Sequence, residues 1–489
     1  MSIDTLKKEI AEAFGTPAVV IDLDVVDRNI ERVQKLCEKA GVRNRPHIKT
    51  HKVPALAKRQ IAAGASGITC QKLGEAEVMV DAGIDDIVIS YNLIGAARSG
   101  RLSALLKRAP IKACADNPVT LQAYSAAAAN AGRPLGVLVE CDTGRKRAGV
   151  ETAGEAIELA AAIKEDPNLT FEGLLFYPTE ESWTETQAFF NEARSGLRSL
   201  GLKAGIVSTG GTPNLVNVGK LEGSTEHRAG TYIFNDRMMM DCSAARPEDC
   251  ALSVYATVVS RAGPERGILD SGSKTLTSDI GGLDGHGLIL EHPEARISGF
   301  AEEHGFLDLS ACNARPAVGD VVRIVPNHVC VVVNMVDRLI AVRGDRIVEV
   351  LEVKARGKLE GATEHRSGTN IFNDRMMMDC GAARPEDCAL SVYATVVSRA
   401  GPERGILESG SKTLTSDIGG LDGHGLILEH PEARISGFAE EHGFLDLSAC
   451  NARPSVGDVV RVVPNHVCVV VNMVDRLIAV RGDRIVEVL

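Results

Sequence analysis

The chain has 489 residues, 44% hydrophobic and 24% charged, with a net charge of −11. That is the make-up of a globular protein of about two to four domains. The acidic balance argues against a nucleic-acid partner, which needs a basic face, and no run of about 18 apolar residues offers a membrane span. The first twenty residues mix charges and lack the apolar centre of a signal peptide. The 12 cysteines are scattered, with no CxxC pair, so reduced thiols in the cytoplasm are expected in place of a disulfide scaffold or a closed zinc site.

Short apolar runs alternate with helical patterns through the first half of the chain. Strands are expected at 17–22, 46–50, 67–71, 86–91, 111–115, 136–141, 171–177, 205–210 and 226–234, with helices at 25–40, 54–63, 74–82 and 153–164 among those between them. Each strand–helix pair takes about 20–35 residues, the length that parallel strands with crossover helices require. The pattern predicts an α/β fold, a (β/α)8 TIM-type barrel over residues 1–240. After Asp241 the text turns β-rich, at 251–261, 287–291, 321–326, 329–336 and 347–351, which predicts an all-β domain over 241–351. A charged linker at 352–357 follows. Residues 358–489 then repeat 220–351 at an offset of 138, differing at Ser224/Ala362, Ala229/Ser367, Tyr232/Asn370, Ser243/Gly381, Asp270/Glu408, Ala317/Ser455 and Ile324/Val462. The unit is far longer than a solenoid repeat of about 20–50 residues and reads as a tandem duplication of a chain tail.

Three stretches could carry chemistry. In RPHIKTHK (45–52), strand alternation would put His47, Lys49 and His51 on one face. If that face is the barrel interior, desolvation lowers the Lys49 amine toward the neutral form that Schiff-base chemistry uses; otherwise it is a solvated strand-end lysine. PNHVCVVVN (326–334) places His328 and Cys330 two apart, so that on a strand both would reach one metal. Imidazole and thiolate suit zinc better than magnesium or calcium, and two protein ligands fit an open site; the alternative is a packed cysteine beside a surface histidine. His466 and Cys468 repeat the pattern. The glycines of STGGTP (208–213), and Gly230 with Thr231, are turns or a phosphate cradle after the last two barrel strands.

Taken together these motifs resemble the fold-type III pyridoxal-phosphate enzymes, specifically the D-threonine aldolase and D-serine dehydratase family, over residues 16–357. RPHIKTHK resembles the family's cofactor-lysine motif, which implies pyridoxal phosphate on Lys49. ECDTGRKRAGV (140–150) resembles its D-T-G-x-x-R-x-G stretch and implies Arg147 inside the barrel. HRAGTYIF resembles the strand whose arginine faces the pyridine nitrogen, here Arg228. The resemblance further implies a phosphate held by Ser208, Gly210, Gly211, Thr212, Gly230, Thr231 and Tyr232, and a divalent metal, zinc or manganese, on His328 and Cys330. Family members carry a histidine where the seventh strand ends; this chain has Tyr177, the candidate acid–base group beside Lys49. The implied reaction is retro-aldol cleavage of a D-3-hydroxy amino acid to glycine and an aldehyde. Dehydration by a D-serine dehydratase route on the same residues, racemisation, or cofactor binding without turnover are the alternatives. A homodimer is implied, because enzymes of this fold type complete each active site with a partner's β domain. The duplicated tail either takes that place within one chain or lies beside the first copy with an edge strand exposed at 365–372. The second outcome is the expectation, with residues 358–489 dispensable for activity.

Overall fold

The computed structural model describes residues 3–356, 372–379, 381–399, 401–482 and 484–488. The first strand, β1 (Ala18–Asp22), is buried along its apolar length. It does not enter the barrel. It lies in the β domain, antiparallel to β10 (Leu252–Ser260) and parallel to β16 (Arg338–Arg343). A continuous apolar run signals a strand covered on both faces without saying which sheet covers it, and this run was expected in the barrel. Asp22 then caps the helix Leu23–Lys39 by accepting from the Asp24 and Val25 N–H groups, relieving two unpaired donors. That helix buries Val26, Ile30, Val33 and Cys37, the stripe that a helical period places on one face.

Eight parallel strands follow: β2 (Arg43–Asn44), β3 (Ile68–Cys70), β4 (Ile87–Ile89), β5 (Ile111–Ala115), β6 (Leu135–Cys141), β7 (Leu169–Phe176), β8 (Ile206–Gly210) and β9 (Glu226–Arg228). They are ordered β2-β9-β8-β7-β6-β5-β4-β3. The ends of this curled sheet meet just beyond β2. His47 bridges Thr69, Ile48 N–H donates to Thr69 O at 2.9 Å, and Thr69 N–H donates to Pro46 O at 2.8 Å. The strand expected at 46–50 is therefore a closing bridge that breaks into a turn at Lys49.

The first β domain joins β10, β11 (Arg266–Leu269), β12 (Leu288–Ile289), β13 (Arg296–Phe300), β14 (Gly305–Asp308), β15 (Val321–Val325), β16 and β17 (Arg346–Glu352) with β1 in one nine-stranded sheet. The apolar run expected as a strand at 329–336 is instead the helix Val329–Met335, with every residue from Val329 to Asn334 buried. Period alone does not separate a short buried helix from a buried strand. Here Asp236 settles it locally, its carboxylate accepting from the Val329 N–H at 3.0 Å.

In the second copy, six strands from Val392–Ser398 to Val459–Val463 close into a barrel of their own around Ala394, Leu407, Ile435, Leu445 and Val462. This copy has no counterpart of β1. Its terminal hairpin, Ile478–Arg481 with Arg484–Val488, pairs only with itself among the described residues, leaving Ile478, Val480, Ile485 and Val486 exposed. Most of the edge expected at 365–372 lies outside the described residues. The expectation that this copy lies apart from the barrel is overturned: Val397 and Ile406 pack on Ile94, and a carboxylate of the second copy enters the barrel mouth.

Beside the closing bridge, Arg45 is 2% exposed and Glu226 is fully buried. Arg45 Nε donates to Glu226 at 2.9 Å and Nη1 to Asp86 at 3.0 Å, tying the segment after β2 to β9 and to the entry of β4. Removing one partner of a buried ion pair strands the other charge. Arg45→Met is therefore expected to cost about 3–5 kcal/mol, read from urea denaturation; a loss below about 1 kcal/mol would show that the pair does not hold the closure.

Candidate active site

The turn after the closing bridge puts Lys49 at the barrel mouth, in a cavity of about 210 Å³ that also shows His47, Gln71, Ser90, Glu140, Arg147, Tyr177 and His328. His47 Nε2 sits 3.1 Å from Gln71 Oε1, and its Nδ1 accepts from the Lys49 N–H at 3.4 Å. This pairing fixes the tautomer with the proton on Nε2. Burial, reinforced by the Lys49 and Arg228 charges, holds His47 well below the ordinary histidine range, so the ring is neutral. His51 shares neither the face nor the cavity. It is buried against Gln60 at 3.2 Å, because the turn breaks the strand alternation.

Lys49 Nζ lies 2.9 Å from Glu440 Oε1 of the second copy. Burial pulls the amine down, as the sequence suggested, but the Glu440 carboxylate together with Cys330 and Tyr177 outweighs it and holds Lys49 above its ordinary value. Glu440 is likewise pushed up by burial, and the Lys412 and Lys49 ammonium groups more than reverse this, keeping it ionised well below the usual carboxylate range.

At the other side of Glu440 stands His328, its Nε2 3.7 Å from Glu440 Oε1 and its Nδ1 2.9 Å from Asp279 Oδ2. A carboxylate on one ring nitrogen orients the ring and leaves the other nitrogen for a metal. The donor atoms of His328, Cys330 and Glu440 all lie within 4.8 Å of one another. Helical geometry, and not the expected strand, brings the pair together: His328 is the N-cap and Cys330 stands in the first turn. The Cys330 thiol is 3.2 Å from Thr50 Oγ1, beside the Lys49 turn.

The opposite wall comes from β7, β8 and β9. Gly210, Gly211, Thr212, Gly230 and Thr231 line it with Arg228 and Tyr177. A Cβ on Gly211 would stand 2.6 Å from the Tyr177 ring, and one on Gly230 would stand 2.9 Å from His47 O. These glycines keep the wall open to a ligand. Arg228 donates to Ser208 Oγ and, at 3.0 Å, to Phe176 O; burial lowers its guanidinium to about 10, still a cation at neutral pH. Arg145 and Arg147 stack over the Tyr177 ring at 4.4 and 5.0 Å. Arg147 Nε is buried with no hydrogen-bond partner, a free donor at the cavity wall.

The structure thus gathers Lys49, Arg147, Tyr177, Gly210, Gly211, Thr212, Arg228, Gly230, Thr231 and His328 around one cavity, with Cys330 just behind. Two expected cofactor residues stand elsewhere. Ser208 is buried beneath Arg228 and donates to Glu226 at 2.8 Å. Tyr232 points into the core and accepts from Gln60 Nε2 at 2.9 Å. His466 and Cys468 form a second donor group with Glu302, away from the barrel lysine. Sequence reasoning missed Glu440, Lys412, Glu140 and Gln71. For the first two the signal was present in the AEEHG and SGSKT segments of the tail, but it pointed to this site only once the tail was placed on the barrel.

Comparison with known proteins agrees with this geometry. Residues 21–238 match the family model described as the alanine racemase N-terminal domain, and residues 251–342 and 389–480 each match the putative serine dehydratase domain. The chain is 34% identical over 355 residues to a D-threonine aldolase of Arthrobacter sp., a match spanning 70% of this chain and 93% of that one. It is also 34% identical over 346 residues to the D-threo-3-hydroxyaspartate dehydratase of Delftia sp., spanning 65% and 91% respectively. Among solved structures, D-threonine aldolase from Filomicrobium marinum superposes with a TM-score of 0.65 at 34% identity, covering 70% of this chain and 95% of that one. An alanine racemase of Clostridium difficile, at 15% identity and a TM-score of 0.55, shares the fold. The chain therefore belongs to the pyridoxal-phosphate-dependent lyases of the D-threonine aldolase and D-serine dehydratase family, on an alanine-racemase-like barrel.

Proposed function

We propose that this lyase cleaves a D-3-hydroxy amino acid between Cα and Cβ, giving glycine and an aldehyde, as the D-threonine aldolases it resembles do. The observation that carries the reading is the grouping of His328, Cys330 and Glu440 within 4.8 Å of one another, with Glu440 also 2.9 Å from the Lys49 amine. A substrate bearing an amine and a hydroxyl on adjacent carbons spans such a pair of centres. The residues fit both groups that the chemistry needs. Lys49 would hold pyridoxal phosphate, Arg228 would face its ring, and the open glycine wall with Thr212 and Thr231 would receive its phosphate. His328, Cys330 and Glu440 would hold a divalent ion, zinc on account of the thiolate and imidazole or manganese on account of the carboxylate. When bound, the cofactor supplies an electron sink for charge at Cα, and the ion acidifies the 3-hydroxyl.

The chain's own residues do the rest. Arg147, with its unpaired buried Nε, anchors the substrate carboxylate. With an ion bound, Asp279 would hold the His328 proton on Nδ1 and leave Nε2 as the ligand. Neutral His47 fills one side of the pocket without adding charge. Tyr177 offers a hydroxyl for proton exchange with the substrate. Lys49 Nζ, as a free amine, would serve as the base that takes a proton from Cα. Loss of the 3-hydroxyl proton leads to Cα–Cβ cleavage. Loss of the α-proton to Lys49, with the hydroxyl leaving as water, gives an enamine that becomes an imine and takes up a water to release a keto acid and ammonia. That dehydratase route is the second reading, favoured by the equal 34% identity to the Delftia enzyme. A related D-threo-3-hydroxyaspartate dehydratase has been solved in what is described as a metal-free form, which supports a metal in this site too. No helix among the described residues is long and apolar enough to cross a membrane. Cytoplasmic residence is part of the proposal, in keeping with scattered cysteines that form no disulfide among the described residues. A homodimer is not, since the second copy already covers the barrel mouth.

Incubation with D-threonine and D-3-hydroxyaspartate is expected to yield glycine and the matching aldehyde; ammonia and keto acid in its place select the dehydratase route. Borohydride reduction followed by peptide mapping is expected to fix a phosphopyridoxyl group on Lys49, and its appearance on any other lysine removes the assignment. Asp279→Asn is expected to weaken Mn²⁺ or Zn²⁺ binding about 10–100-fold by calorimetry, with the cofactor absorbance retained. Unchanged metal affinity would show that Asp279 does not orient His328.

A further inference from the structure

The two copies of the tail sequence face each other across a pseudo-two-fold. Ser278 Oγ donates to Asp417 and Ser416 Oγ donates to Asp279. His328 Nε2 lies 3.7 Å from Glu440, and His466 Nε2 lies 3.7 Å from Glu302. Every one of these contacts maps onto its fellow by the 138-residue offset of the duplication. The symmetry stops at the parallel strand–helix barrel, because the described residues hold a single one.

Both copies touch that barrel, but among the described residues one face of the second copy meets it where the same face of the first does not. Glu441 pairs with Lys72, and its carbonyl accepts from Tyr91 OH at 3.2 Å. Val397 O accepts from Asn117 Nδ2 at 3.3 Å, and Arg404 pairs with Glu151 at 2.8 Å. Lys412, 2% exposed, reaches Glu440 at 2.7 Å and donates to Lys49 O at 3.3 Å. The same face of the first copy meets no barrel. Val397 is 1% exposed where its counterpart Val259 is 44% exposed, and Phe306 and Val318 stand open at 41% and 59%. One of the seven sequence differences falls on this boundary. Glu408 and Asp270 both accept from the N–H of the equivalent threonine, Thr395 and Thr257, but Glu408 also reaches Arg98 at 2.5 Å, whereas the shorter Asp270 takes Thr16 instead.

We infer that the second copy completes the active site in cis. One chain is then a whole enzyme with a single site, in which Glu440 ligates the metal and Lys412 positions Glu440 and the Lys49 turn. The reciprocal group of Glu302, His466 and Cys468 keeps the same donors but faces no barrel lysine, and carries no turnover. The inference rests on the reading of Lys49 and His328 as the reacting centre.

The full chain provides its own control, because Lys412 and Lys274 sit in the same segment SGSKTLTSDIGG in the two copies. Lys412→Met is expected to lower kcat more than about tenfold and to weaken Mn²⁺ binding at the lysine-facing site by a similar factor, with Lys274→Met near the parent in both, since the effects of altering a metal's supporting shell run about 10–100-fold. Equal effects of the two variants would overturn the inference. Equilibrium sedimentation of the full chain is expected to give the single-chain mass of 51.9 kDa. A mixture of Lys49→Ala and Glu440→Ala chains is expected to stay as inactive as its parts. A dimeric mass together with restored activity in the mixture would show that the tail serves another chain's barrel. Full activity of Lys49→Ala alone would instead overturn the reading of the centre itself, so the two failures are separable.

Discussion

A carboxylate from the tail and an amine from the barrel meet at 2.9 Å in a half-buried pocket, and the organisation of the site follows from that contact. Two buried charges in a low-dielectric setting are tolerated only when each is compensated. Lys49 has Glu440; Glu440 has Lys49 and Lys412; His328 has Asp279 and Glu440. Take away the tail and the amine and the imidazole lose a common counter-charge. The same compensation draws a metal-binding histidine, contributed by the first β domain, to within reach of a cofactor lysine contributed by the barrel.

The barrel supplies rigidity where this contact needs it. Its curled sheet closes by the His47–Thr69 bridge, and Lys49 follows two residues later, so the reacting amine is tethered at the point of closure. The buried Arg45 pairs with Glu226 and Asp86 reinforce that point from below. From above, β1 stitches the barrel's N-terminal segment into the first β domain, fixing the helix that carries His328 and Cys330 relative to the turn that carries Lys49. Among the described residues the second copy shares no strand with the barrel and is held through side chains and a few backbone acceptors, an attachment by contact and not by a shared sheet.

Much of this was legible in the amino-acid text. The alternation of apolar runs and helical stripes predicted an eight-stranded barrel, and the motifs around Lys49, Arg147, Arg228 and His328 pointed to residues that the fold gathers in one cavity. The failures have physical causes. The run at 17–22 is equally apolar whichever sheet buries it, so its neighbour was not readable. The valine-rich run at 329–336 is buried all round, and burial erases the period that separates helix from strand. Alternation predicted His51 beside Lys49, but alternation ends where a strand turns. Tyr232 was read from a motif, yet one 3-10 turn carries its ring into the core. The largest miss was Glu440, since near-identical copies give no local sign of which one faces the barrel; among the described residues the Asp270/Glu408 difference, read with Arg98 in place, carries that information.

Anomalous diffraction from crystals of the full chain grown with pyridoxal phosphate and Mn²⁺ or Zn²⁺ tests the central claim most directly. The account predicts a metal peak bonded at about 2.0–2.3 Å to His328, Cys330 and Glu440 of the same chain, with cofactor density continuous to Lys49. A metal bound without Glu440, or one whose carboxylate comes from a neighbouring molecule, would contradict it.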